Sequence, residues 1–524
     1  MTDLIERDYF TDYEILKDPY AYFEAVREHG PIFQPPGKDY LIVTGFEETL
    51  EVLRNNHDFS AIIGLQGAAL PLPFEPEGSD ITDQVEAHRD QIIGGDLLVN
   101  LDDEKHTLMR SLVNGLFTPS RLKKNEEFIA AYSDELVRNA VADGGCELIK
   151  TIATPFVTLV IADLLGVPPH DRQRFMDAIE YGPPPGSLEG NELLSENHPF
   201  MIMAGYFVEY INDRRANPRE DILTEFARAN YPDGTTPDLM DLVQTATFLF
   251  GAGQDTSAKL LGNSMKYICE QPALQERLRA DPSLIPDFLE EVLRLEGSTK
   301  QTARLARRDT RIGDTPIKAG TRLLIALSAA NRDPGRWADP EALQLDRKKI
   351  KEHVGFGRGK HVCAGAPLAR VEVRVILERF FEHTSRIDLD EAFHGPQGAR
   401  KLDYEPSFII RGLSELHIKL TPAEGFTGRA SESLIGGSAT PAATGQTEQS
   451  AKTRRFSVES STIGTLLADE QAAAVLERHF PGMAADNRIA MAKGMTLKMV
   501  QNFAPDQFTS EGLAALDKSL AELG

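Results

Sequence analysis

One cysteine of this chain sits where a sulfur is easily ionised. Around it the sequence reads Phe356-Gly357-Arg358-Gly359-Lys360-His361-Val362-Cys363-Ala364-Gly365. Gly357, Gly359 and Gly365 allow backbone turns closed to other residues and let a flat partner approach closely. The periodic segment Pro367 to His383 follows at once, and Pro367 suits a first helical turn, where its missing N–H costs nothing. A helix start offers free N–H groups and a positive dipole end. Both favour thiolate over thiol, and only thiolate binds a metal ion. A zinc site from His353, His361 and Cys363 competes poorly, because structural zinc normally takes four ligands, usually with paired cysteines. Cys146 and Cys269 lie in apolar, helix-like surroundings and read as packing residues, so the cysteines form no disulfide framework.

Other stretches carry weaker signals. His106 and Arg110, in His-Thr-Leu-Met-Arg, are four apart and share a helix face. Arg304 opens Arg-Leu-Ala, and the planar fork of an arginine can give a carboxylate two parallel hydrogen bonds. Ala252-Gly253-Gln254-Asp255-Thr256-Ser257 lies inside a long periodic segment, where small residues let a helix open locally. Thr256 can bond back to the Ala252 carbonyl or hold a water, and Asp255 can relay a proton. Glu291-Val292-Leu293-Arg294 is weak alone, since exposed ion pairs at this spacing are common. Asn331-Arg332-Asp333-Pro334 and Leu345-Asp346-Arg347 follow it.

In order and spacing these stretches resemble the cytochrome P-450 family. The cysteine loop fits Phe-Gly-x-Gly-x-His-x-Cys-x-Gly at every fixed position, residues 291–294 fit Glu-x-x-Arg, and 252–256 look like the oxygen-activation stretch. Asp18-Pro19-Tyr20 and Gly30-Pro31-Ile32 also look like the opening of a soluble bacterial member. The resemblance implies a mainly α, triangular fold with small β-sheets, and haem b with Cys363 as axial iron ligand. A thiolate there favours O–O cleavage. It implies a monooxygenase that inserts one atom of O2 into a hydrophobic small molecule, with electrons from NAD(P)H through a ferredoxin reductase and an iron–sulfur ferredoxin. It implies that His106, Arg110, Arg304 and His361 contact the haem propionates, with Phe356, Gly357 and Gly365 shaping the haem bed. Asp255 and Thr256 would be catalytic, and Glu291, Arg294 and Arg347 a buried structural network. Ala252, Lys300, Gln301 and Phe408 would line the substrate pocket, with Lys300 offered as the partner of a substrate carboxylate. Two other functions compete. A peroxide-driven haem-thiolate peroxygenase is disfavoured by Asp255-Thr256, which such members typically lack. A non-catalytic haem sensor would signal through the C-terminal segment.

The elements that must hold these residues are mostly helices. Apolar residues recur at three- and four-residue spacing over 21–29, 123–142, 239–270, 285–296 and 367–383, and strand-like runs occupy 40–44, 322–326 and 416–420. Residues 61–98 and 182–199 mix Gly and Pro with acidic residues and read as loops or mobile lids, followed by an apolar, Met-rich stretch from Phe200 to Phe207. Residues 1–424 read as the haem domain. Residues 425–453, rich in Gly, Ser, Thr and Ala, read as a flexible linker, and 454–524 as a small helical module that self-associates or docks a partner. The net charge of −24 argues against nucleic acid or an anionic membrane as partner. With no signal peptide and no spanning apolar stretch, the expected compartment is the cytoplasm. Within this acidic chain, Lys348, Lys349, Lys351, Arg358 and Lys360, followed by Arg370 and Arg374, form a basic stretch suited to steering an acidic ferredoxin.

Overall fold

Helix α4 (Thr154–Leu164) is apolar on every side and α7 (Ile285–Leu295) buries nearly its whole surface, so both must lie inside the protein. A computed structural model describes residues 4–179, 199–431, 433–434, 456–458, 461, 463–480, 497 and 509–521. The other helices around the site are α1 (Tyr20–Glu28), α2 (Asp103–Leu116), α3 (Pro119–Ala142), α5 (Pro199–Ala216), α6 (Leu239–Glu270) and α8 (Ala366–His383). At 1.5 Å per residue the 32 residues of α6 span about 48 Å. It packs against α4, α5, α7 and α8. One apolar cluster runs through all of these from Leu98 to Leu420, with Phe156, Phe207, Phe250, Phe288 and Phe380 fully buried.

The strands flank this body. They are β1 (Ile32–Phe33), β2 (Tyr40–Val43), β3 (Phe59–Ser60), β4 (Gly145–Glu147), β5 (Thr302–Ala306), β6 (Arg322–Ile325), β7 (Thr384–Leu389) and β8 (His417–Pro422). The larger sheet has the order β1-β2-β6-β5-β3, with β2 and β6 parallel and in register from Tyr40↔Arg322 to Val43↔Ile325. A three-stranded sheet has the order β4-β8-β7, and Thr310–Ile312 pairs with Thr315–Ile317 in a two-stranded one. The fold is therefore mainly α with small sheets, and the periodic segments become helices within a few residues of their expected ends.

Two loop expectations meet a different outcome. Residues 61–98 are not a free lid. They contain a helix, Thr82–Ala87, and Ile62, Ile63, Ala68 and Ile81 are fully buried. The Arg89 guanidinium donates to Gly95 O (2.6 Å) and Asn100 O (3.3 Å), and Arg322 donates to Ala68 O (2.9 Å) and Ala69 O (3.0 Å). Buried arginines thus satisfy the loop's carbonyls. The first part of the expected linker is likewise tied down. Arg138 donates to Gly428 O (2.9 Å) and Arg429 O (3.0 Å), and Leu434 N–H donates to Glu135 Oε2 (2.9 Å), so this segment lies along α3. The Gly-Pro lid at 182–198 and the rest of the linker, 435–453, lie outside the described residues.

In the C-terminal stretch, Ile463–Ala468, Glu470–His479 and Ser510–Ala521 are helical, as expected of a helical module, while most of 481–508 lies outside the described residues. Ile463, Leu466, Leu476, Leu513, Leu516 and Leu520 form an apolar cluster of their own. No helix among the described residues is long and apolar enough to cross a membrane.

Candidate active site

The cysteine loop is closed by its own backbone. Cys363 N–H donates to Phe356 O (2.9 Å) and Gly357 N–H to Val354 O (2.8 Å). Gly359 has φ +74°, and a Cβ there would overlap the backbone carbonyl of Leu53, so only glycine fits. Gly365 caps α8, and a Cβ on it would stand 3.9 Å from Cys363 Sγ. The Cys363 side chain is exposed although it lies deep among protein atoms, because the sulfur faces an interior space rather than bulk water. Burial pushes its thiol up, while the Gly365 and Ala366 N–H groups and the Arg110 and Arg370 guanidinium groups pull it down. Phe356, half-buried, carries Arg370 over its ring at 4.6 Å, and Arg370 also pairs with Glu290 (2.5 Å).

Beside the loop stand four basic side chains with little acid to match them. The rings of His106 and His361 lie 4.2 Å apart. Burial, then the neighbouring Arg110, Lys360 and Arg304, lower His106 to about 4. Burial, then Arg304, His106, Arg110 and Lys360, lower His361 to about 2. Arg304 is pushed down to about 10 by burial, which Asp102 only partly offsets. It donates to Thr302 Oγ1 (3.1 Å) and Ala303 O (2.8 Å), while its Nε, like His106 Nε2, is buried without a partner. Arg110 donates to Val362 O (2.7 Å). Donors crowded in this way favour an anion bound among them.

Helix α6 supplies the second wall. Thr256 Oγ1 donates to Ala252 O (2.9 Å) and Ser298 Oγ to Thr256 O (2.7 Å). The helix is unbroken through 251–253, so the expected local opening is not present as a break in the helix. Ala252 is exposed although it lies mid-helix. Burial raises the Asp255 carboxyl, Lys259 opposes this from 3.7 Å, and Asp255 Oδ2 is buried without a partner.

Glu291, Arg294 and Arg347 do meet. Arg294 grips Glu291 through two bonds (2.8 and 3.0 Å), Arg347 Nε donates to Glu291 Oε1 (2.8 Å), and Gln344 N–H donates to Oε2 (2.9 Å). Lys300 departs from expectation. Its side chain is fully buried and its ammonium donates to Leu16 O (2.5 Å) and Ser407 O. Burial pushes it down to about 7. Those carbonyls occupy the ammonium, so the pairing of Lys300 with a substrate carboxylate is withdrawn. Gln301 is buried with both ends of its amide unpartnered, and Phe408 packs its ring 5.4 Å from Phe10. Met203 and Phe207 of the Met-rich stretch join the main apolar cluster.

Residues 195–386 match the cytochrome P450 family model. Cytochrome P450 monooxygenase PikC of Streptomyces venezuelae is 30% identical over 411 residues, covering 77% of this chain and 91% of that protein. The substrate-free structure of cytochrome P450 CYP150A6 from Mycobacterium marinum is 44% identical with TM-score 0.75, covering 80% of this chain and 100% of that one. The chain belongs to the cytochrome P450 family. CYP109E1 from Bacillus megaterium, solved in complex with corticosterone, is 27% identical with TM-score 0.65, covering 78% and 99%. P450 enzymes bind haem b through a cysteine thiolate, and the residues here fit that group. The sulfur of Cys363 faces inward at a helix start, and the unpartnered donors of His106 and Arg304 suit the two propionates.

The sequence reading missed two residues that bear on Asp255. Lys259 lies four positions along α6 and Glu405 comes from a distant loop, and the two form an ion pair. The i,i+4 spacing from Asp255 to Lys259 was the available signal.

Proposed function

We propose that this enzyme is a monooxygenase of hydrophobic small molecules, with Cys363 as the iron ligand and NAD(P)H electrons delivered by a ferredoxin. The inward-facing sulfur, with the Gly365 and Ala366 N–H groups acting on it, carries the reading. Haem held there would supply the activation of dioxygen, one oxygen atom entering the substrate and the other leaving as water. His106, Arg110, Arg304 and His361 would neutralise and orient its carboxylates. Asp255 Oδ2 would hold the proton that the chemistry consumes, and Thr256 would help place its acceptor by switching its hydroxyl from the Ala252 carbonyl. Ala252 and Gln301 would meet the substrate, and Phe408 would stand at the edge of the pocket. The corticosterone complex of CYP109E1 supports a bulky apolar substrate class.

Lys348, Lys349, Lys351 and Lys360 are exposed and form no ion pair among the described residues, which supports an acidic redox partner on the cysteine side. Arg370 and Arg374 are not part of that surface, since they pair with Glu290 and with Glu126 and Glu378. Such a reading fits a cytoplasmic setting, where NAD(P)H is supplied. The test is twofold. The reduced protein with carbon monoxide should show the red-shifted Soret band of sulfur-ligated haem, and NAD(P)H consumption with a surrogate ferredoxin and reductase should rise when a steroid-like ligand is added. A band at the histidine-ligated position in freshly purified holoprotein would overturn the ligand assignment.

A further inference from the structure

One lysine of α6 serves two carboxylates. Lys259 lies a turn beyond Asp255, with only 4% of its side chain exposed. Its ammonium ion-pairs with Glu405 and stands 3.7 Å from Asp255 Oδ1. The seat is shaped for it. Glu405 N–H donates to Gly412 O (3.1 Å), closing a loop over the helix, and a Cβ on Gly412 would overlap the Lys259 stem. The second oxygens of both acids, Asp255 Oδ2 and Glu405 Oε2, are buried without a partner.

Two carboxylates around one ammonium in a largely buried setting do not both ionise readily, because burial and the like charge each favour the neutral form of one. The distances select which. Glu405 touches the ammonium and Asp255 does not. Burial raises both acids. The charged groups around them are few. Asp255 meets Lys259 and, across it, Glu405. Glu405 also faces Lys300, behind which stand Arg411 and Asp18.

We propose that Lys259 governs the proton on Asp255: committed to Glu405, it leaves Asp255 as the neutral acid, and drawn across the 3.7 Å gap it holds the carboxylate once that proton has gone. The Oδ2–H bond breaks, the proton leaves toward the reacting oxygen, and the electron pair stays on Asp255. The trio passes from neutral to one negative charge. A solvent proton returning by way of Glu405, whose side chain is 16% exposed, resets it. Lys259 and Glu405 are thus positioning residues. Asp255 alone reaches the reacting atoms. The proposal rests on the reading of Asp255 as proton donor given above.

The experiment follows the carboxylic-acid carbonyl band by infrared titration of the full-length holoprotein. At neutral pH the wild type should show an acid band that Asp255→Asn removes. Glu405→Gln frees the ammonium for Asp255, so the band should titrate at least about one pH unit lower and fade at neutral pH. Lys259→Met should shift the titration upward. Because that change strands Glu405, the double variant Lys259→Met/Glu405→Gln, which removes both charges, should keep the upward shift. Opposite shifts are the signature, since a merely structural role would move the variants alike. Shifts in the same direction, or none, would overturn the proposal. In turnover with the surrogate partners, Glu405→Gln should send a larger share of NAD(P)H to peroxide at neutral pH and recover coupling at lower pH. Unchanged coupling in Asp255→Asn would instead sink the proton-donor reading, whatever the infrared result.

Discussion

Glu372 of α8 is enclosed, and its Oε2 has no partner, while a hydrogen bond with Ser257 links it to α6. Burial raises its carboxyl from 4.5 to about 8, and the Ser257 bond offsets only part of this. The folded protein therefore holds a proton there that the unfolded chain releases. The stability this confers is fully present below about pH 4.5, declines as the pH rises to about 8, and then levels off. Glu372→Gln is neutral at every pH, so its melting temperature should gain on that of the wild type between pH 5 and 8. Parallel curves for the two proteins would count against a buried neutral acid. Arg304 bears on the cofactor side. Removing one charge-assisted contact costs roughly 1.5–3 kcal/mol, so Arg304→Leu should weaken haem retention by about tenfold or more, read by haem transfer to apomyoglobin.

The turn before α8 and the end of α7 hold the site in place. Gly359→Ala must displace either its own backbone or Leu53, and should convert part of the reduced, carbon monoxide-bound protein from the sulfur-ligated to the histidine-type spectrum while leaving far-ultraviolet dichroism intact. Glu291→Ala strands two buried arginines and should cost about 3–5 kcal/mol in denaturant unfolding. The helices and the cysteine turn were legible because their signals are local: apolar spacing over 239–270 and 285–296, and glycines beside one cysteine. The Glu291–Arg347 network was legible through the resemblance, not from spacing, since 56 positions separate its ends. The fate of Lys300 was not legible. Its ammonium is claimed by carbonyls of residues 16 and 407, which only the fold brings together. Glu405 was missed for the same reason. The loop over 61–98 has the composition of a lid but is held by Arg89 and Arg322, which sequence alone does not pair with it.

For the molecule as a whole, two buried acids contribute to the acid limit. Burial alone would raise Glu290 and Glu296, but His353 and Arg370 hold the first at about 2, and Arg411, Lys266 and Arg332 hold the second at about 2. Both carboxyls lie below their ordinary value of 4.5, so the stability they confer is present above that pH and is lost as the pH falls toward 2. Stability of the holoprotein should fall steeply through that window, and Glu296→Gln should shrink the pH dependence while lowering stability at neutral pH. The apolar cluster of the C-terminal helices supports the proposal that 454–524 form a separate module. A chain ending at residue 434 should then keep its melting temperature and spectra, and loss of an oligomer on sizing would assign self-association to the module.

The distribution of thiols has a practical consequence. Burial lifts the Cys146 thiol to about 12 and raises that of Cys269 as well, which leaves both nearly inert toward alkylating reagents. Burial raises the Cys363 thiol too, but its sulfur borders the interior space that haem would fill. A thiol reagent small enough to enter that space, such as a methanethiosulfonate, should therefore modify about one sulfur per empty polypeptide and none per loaded one. It would count apoprotein in a preparation without reference to colour.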